Sequence, residues 1–123
     1  MNGQMNDQVI TVRELRDFVE AFIDAREWVQ FHSPKSLSMS IAVEASELME
    51  KFLWCDNAKS YKEAIDNKQE VEEELADVII TAICFARSAD IDIVQAVENK
   101  MKINDKRYPV EKAKGICTKH DKL

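Results

Sequence analysis

The sequence predicts an all-α protein, a bundle of four helices, on three observations. Only 2 Gly and 2 Pro occur in 123 residues, too few for the many tight turns of a β-sandwich or barrel. Apolar residues recur at helical spacing in four stretches, three of them preceded by capping residues. The length suits one domain with a modest core, a size at which association supplies further burial.

Residues 1–10 read as a flexible lead. Thr11 and Glu14 then make a capping box, and Val12, Leu15, Phe18, Val19, Phe22 and Ile23 mark a first helix. It is expected to run to about Phe31 and stop at Ser33-Pro34, because the residue before a proline is biased away from helical geometry. Pro34 fits the first turn of a second helix, whose apolar stripe is Leu37, Ile41, Ala45, Leu48 and Phe52 and which ends near Trp54. A loop follows, with a short helical turn around Tyr61 to Ile65. Asn67 and Glu70 read as a second capping box, opening a third helix to about Ser88. Asp92 caps a fourth helix that carries Ile93, Val97 and Met101 on one face. The domain thus occupies residues 11–109, and residues 110–123 are expected to be a loosely ordered polar tail.

The net charge of −6 is spread along the chain, which argues against a duplex nucleic-acid partner. Cys55, Cys84 and Cys117 are odd in number, far apart and without a CxxC spacing, a pattern that fits a reducing compartment better than a disulfide framework or a zinc site. The N-terminus lacks a basic region followed by an apolar one, and the longest apolar run, Val78 to Ala86, is too short to span a bilayer. A cytoplasmic protein with no membrane partner is the expectation.

Two helices carry the same arrangement of acids. Beside the stripe of the second helix stand Glu44 and, just beyond it, Glu47; beside Val71, Leu75, Val78, Ala82 and Phe85 of the third stand Glu74 and Asp77. Residues three apart on a helix are neighbours. Paired carboxylates at the margin of a core repel one another and are partly desolvated, so one protonates unless a cation lies between them. Packed together, the two helices would gather four acids into a site for Mg²⁺, with Mn²⁺ as a substitute. The competing reading is an ordinary solvated face, as expected for Glu50, Glu72 and Glu73, which point away from the stripes.

Val78 to Ala86 is apolar nearly all round its helix, which suits a central core helix or, preferably, a subunit interface. Trp28 and His32 are spaced one turn apart at the end of the first helix, and Trp54 closes the second; these are core residues or a base-stacking pocket. Lys100, Lys102, Asn104, Lys106 and Arg107 form the one dense cationic cluster. It complements a helix dipole or neutralises phosphate oxygens.

EASE at Glu44 to Glu47, followed by ELAD at Glu74 to Asp77, resembles the ExxE…ExxD metal motif of the MazG-like nucleoside triphosphate pyrophosphohydrolases. REWVQFHSPKSL, FLW and KMKINDKRYP around them resemble the dCTP pyrophosphatase branch. The resemblance covers about Leu15 to Pro109. It implies an all-α MazG-like bundle assembled as a homodimer or homotetramer, and Mg²⁺-dependent cleavage of a nucleoside triphosphate to monophosphate and pyrophosphate. It also implies that Glu44, Glu47, Glu74 and Asp77 hold the metal, with Glu47 the candidate for positioning the attacking water. By the same resemblance Trp28, His32 and Trp54 border the base, while Lys100, Asn104, Arg107 and Tyr108 meet the phosphates. The chain departs from dCTP-specific relatives at Thr81, where they often carry Tyr, and at Ser36, where they often carry Asn.

Three rival readings exist. A carboxylate-bridged di-iron bundle needs Glu-x-x-His pairs, and neither His32 nor His120 has an acid three residues before it. A phosphoribosyl-ATP or dUTP pyrophosphohydrolase shares the motif. A non-catalytic helical interaction module would leave the acids solvated and respond to no particular dication.

Overall fold

The computed structural model describes residues 4–123, and no strand occurs among them. The order is α1 (Val12–Ala25), α2 (Pro34–Glu50), α3 (Asn57–Asp66), α4 (Lys68–Ser88), α5 (Ile93–Arg107) and a single turn, α6 (Val110–Ala113). Five substantial helices thus replace the expected four. The difference is α3, ten residues long where a short turn was expected, and opened by Asp56, whose carboxylate accepts from the Lys59 amide at 2.8 Å. Residues 1–3, part of the expected lead, lie outside the described residues. Around Asn6 the chain makes a turn, with the amides of Val9 and Ile10 donating to the Asn6 carbonyl.

Most helix starts follow the sequence. The Glu14 amide donates to Thr11 Oγ1 at 3.1 Å and the Thr11 amide to Glu14 Oε1 at 3.1 Å, the expected capping box. Ser33 caps α2 ahead of Pro34, and Asp92 caps α5. The second expected capping box is absent. Asn67 instead closes α3, its side-chain amide donating to the Glu63 carbonyl and carboxylate, so its side chain is not available to α4.

The first helix ends six residues earlier than predicted. Glu27 takes a left-handed conformation, φ 53°, while its amide donates to Asp24 O and that of Trp28 to Ile23 O. That is a Schellman ending with glutamate at the position glycine usually takes. A 3₁₀ turn, Val29–Phe31, follows, so Trp28 and His32 flank this turn rather than sharing a helix.

The chain divides into a unit ending at Asp90 and a second unit, Ile91–Leu123. In the first, α4 is the central helix: it packs most extensively on α2 and also touches α1 and α3. Val19, Ile23, Leu37, Ile83, Cys84 and Ala86 form the buried core. Arg87 ties α4 to α1, with Nη1 2.8 Å from Asp24 Oδ1 and Nε 3.4 Å from Glu20 Oε1. Ser88 Oγ donates to the His32 carbonyl at 2.7 Å. Among the described residues no helix is long and apolar enough to cross a membrane.

In the second unit the Tyr108 amide donates to Asn104 O at 2.8 Å, closing α5. The Tyr108 ring meets His120 edge-on, centroids 5.8 Å apart. Short helical turns at α6 and His120–Lys122 occupy the segment predicted to be a loosely ordered tail.

Candidate metal centre

The apolar stripes predicted for α2 and α4 are close to the faces these helices bury, but not identical. On α2, Ala45 is exposed while Glu44, Glu47 and Lys51 are half-buried with Ile41 and Leu48; on α4, Leu75 and Ala82 are exposed while Glu74 and Thr81 are half-buried with Val71, Val78 and Phe85. Each helix is turned toward its acids by roughly 40°, less than half of one residue's step around the axis. Glu44, Glu47 and Glu74 are therefore part of the helix contact, while Asp77 stays exposed at its margin. Glu50, Glu72 and Glu73 are exposed, as the sequence predicts.

α2 and α4 run antiparallel in a definite register. A carboxylate oxygen of Glu47 lies within 4.8 Å of one of Glu74, and one turn along, Lys51 Nζ is 3.4 Å from Glu70 Oε2. Numbers rise on one helix as they fall on the other, so Glu44 comes opposite Asp77. One carboxylate oxygen from each of Glu44, Glu47, Glu74 and Asp77 lies within 4.8 Å of all the others.

Such crowding changes how the group titrates. The Glu47 carboxyl is held above the ordinary glutamate value of 4.5 by its hydrogen bond with Glu44 first, and then by the charge of Glu44. Glu74 is raised chiefly by burial and next by the charge of Glu47, with Lys51 opposing. Glu44 Oε2 and Glu74 Oε2 are shut off from solvent and find no hydrogen-bond partner among the described residues. A solvated acidic face leaves its oxygens in water, whereas here two bare oxygens are withdrawn from it. Oxygen donors in this number, with acceptor capacity unused, suit a hard dication, and the cluster could hold a metal ion.

An apolar groove of about 640 Å³ adjoins the cluster, lined by Phe18, Phe22, Trp28 and Ile80 with Asp77 among them. Trp28 stands edge-on to Phe22, centroids 5.8 Å apart. Thr81, where a larger phenol would extend from the same helix face, turns its hydroxyl back to the Asp77 carbonyl at 2.7 Å.

The other expected site residues are placed differently. His32 lines a separate cavity of about 280 Å³ with Val29, Cys84, Arg87 and Ser88. Trp54, in the turns after α2, is 93% exposed. Lys100, Asn104 and Arg107 lie on α5 and Tyr108 caps it, all in the second unit. Sequence reasoning missed the Lys51–Glu70 pair, although its signal was present: a cation four residues after Glu47 and an acid four before Glu74 continue the acid pattern by one turn on each helix.

The sequence profile of the MazG-like family matches residues 39–123. The chain is similar to dCTP pyrophosphatase 1 of Rattus norvegicus, 34% identical over 115 residues that cover 92% of this chain and 68% of the rat protein. The Homo sapiens protein of the same name is 31% identical over the same shares. A crystal structure of a pyrophosphatase from Archaeoglobus fulgidus superimposes with a TM-score of 0.76 at 34% identity, covering 89% of this chain and 98% of that one.

Proposed function

The chain belongs to the MazG-like family, and from that premise we propose that it is a Mg²⁺-dependent nucleotide pyrophosphohydrolase that cleaves a dCTP-like triphosphate to monophosphate and pyrophosphate. The observation that carries this reading is the four-carboxylate cluster, with two oxygens buried and unpartnered, at the edge of an aromatic groove. The two features are complementary in chemistry. The cluster suits a cation that a triphosphate also binds, and the groove suits a flat, apolar-faced base.

Glu44, Glu47, Glu74 and Asp77 would hold the ion, Mg²⁺ or Mn²⁺ in its place. When bound, it supplies charge neutralisation for the triphosphate and a water of lowered pKa. The Glu47 carboxyl holds a proton more readily than an ordinary glutamate, with Glu44 the chief cause, and it is the carboxylate we assign to orient a water and take its proton. A water oxygen then bonds to phosphorus while the bond to the departing pyrophosphate breaks in line with it. Trp28, with Phe22 fixing its ring, stacks on the base; the assignment of His32 and Trp54 to the base rests on the family resemblance, since neither lines this groove. Lys100, Asn104, Arg107 and Tyr108 meet the phosphates. The enzyme acts as a homodimer or homotetramer, because Phe18 and Phe22 on α1 and Met39 and Val43 on α2 are left at least half exposed and so large an apolar surface marks an interface. Its role is to cleanse the nucleotide pool.

The deciding experiment offers each common NTP and dNTP with Mg²⁺, with and without chelator, and resolves monophosphate plus pyrophosphate from diphosphate plus phosphate. Chelator-sensitive pyrophosphate release, strongest on dCTP, is the expected result. The same release on other nucleotides keeps the reaction and removes the pyrimidine preference. No release from folded, metal-loaded protein rejects the reading.

A further inference from the structure

Once all four are ionised, the clustered carboxylates carry four negative charges, of which a dication offsets two. A triphosphate bound there needs further cations, and the first unit places one next to the cluster. Lys51 lies one turn beyond Glu47, about 5–6 Å along α2, where its charge acts on Glu74. Its ammonium is 3.4 Å from Glu70 Oε2, with the two side chains 30% and 64% exposed. A pair so open to water holds weakly, and a lysine stem turns easily to a new partner.

We propose that Lys51 is a further substrate-binding residue of this site, its ammonium resting on Glu70 in the free protein and passing to the pyrophosphate portion of the bound triphosphate. That portion carries most of the triphosphate's charge and is what a single ammonium bridging from the cluster's end takes. Glu70 is then a resting partner: it holds Lys51 extended along the helix pair and competes with the phosphate for it. The inference rests on the pyrophosphohydrolase reading for its substrate, but on the helix register alone for the position of the ammonium.

The test is calorimetric titration of the intact protein with Mg²⁺-pyrophosphate, alongside KM and kcat for dCTP, for wild type, Lys51→Gln, Lys51→Arg and Glu70→Gln. Lys51→Gln is expected to weaken pyrophosphate binding and raise KM by about tenfold each, the loss of one charge-assisted contact, with the melting temperature unchanged. Lys51→Arg recovers most of this, and Glu70→Gln binds at least as tightly as wild type. Wild-type binding in Lys51→Gln, equal losses in Lys51→Gln and Glu70→Gln, or no pyrophosphate binding by wild type overturns the proposal, the second by making the pair a strut between helices. Pyrophosphate binding that depends on Lys51 in a protein that hydrolyses no nucleotide would support Lys51 while rejecting the hydrolase reading. Hydrolysis indifferent to Lys51 would do the reverse.

Discussion

At the scale of the residue, Glu47 and Glu74 place function against stability. Both carboxyls bind a proton more tightly in the folded chain than the ordinary value of 4.5 allows. The stability this contributes is therefore complete below about pH 4.5 and is lost as pH rises through the folded values. The metal-free melting temperature should carry a component that falls as pH is raised from 4.5, and Glu47→Gln should reduce it, leaving the part that burial of Glu74 contributes. Mg²⁺ or Mn²⁺, but not Na⁺ at equal ionic strength, should raise the melting temperature near neutrality by occupying the cluster. Glu74→Gln should raise that of the metal-free protein, because an amide relieves the repulsion, and should abolish the Mg²⁺ response. Glu47→Gln should lower turnover by about 100-fold or more, the usual loss when a group that handles a proton is removed. Wild-type turnover in that variant would remove Glu47 from the chemistry.

At the scale of the element, local chemistry decides where helices begin more clearly than where they end. Thr11 with Glu14 announces α1, because both halves of the box are side chains within one turn. Thr11→Ala should cost about 1 kcal/mol in denaturant titration. The end of α1 is a different matter. A left-handed C-terminal residue is legible when it is glycine, and here it is Glu27. Glu27→Gly relieves the left-handed strain at some cost in chain entropy, and a net gain of about 0.5–1 kcal/mol is expected from urea denaturation. Asn67 was misread because one residue stands between two helices. Its amide serves the helix behind it, and a capping pattern alone does not say which neighbour a side chain will serve.

At the scale of the whole molecule, α1 has a broad apolar face of which only one edge is used. Val19 and Ile23 are buried, as is Arg16 one turn before Val19, whereas Leu15, Phe18 and Phe22 remain exposed. On α2, Met39 and Val43 lie on the side away from the buried Leu37, and even the central helix α4 leaves Ile79 and Ile80 about 40% exposed. Light scattering should therefore give a mass of at least twice the 14.2 kDa of the chain, and Val43→Asp should lower it. A monomeric wild type would reject assembly through these faces.

The sequence by itself determined the helical class, the starts of α1, α2, α4 and α5, the paired acids on two helices and their kinship with a known motif. The helix starts and each acid pair are written in residues no more than four apart, within reach of a single turn, and the kinship in the order of such short segments along the chain. Only the tertiary structure decided that α1 stops at Ala25, that α3 is a full helix, and that α2 and α4 each turn toward their acids. It alone set Lys51 beside Glu70, 19 positions away, and separated His32 from the groove that holds Trp28. The physical reason is range. Periodicity fixes which face of a helix is apolar, but the rotation and register of that face come from the fit of one helix against another, and a rotation of less than half a residue is enough to carry a carboxylate from the margin of a core into its contact.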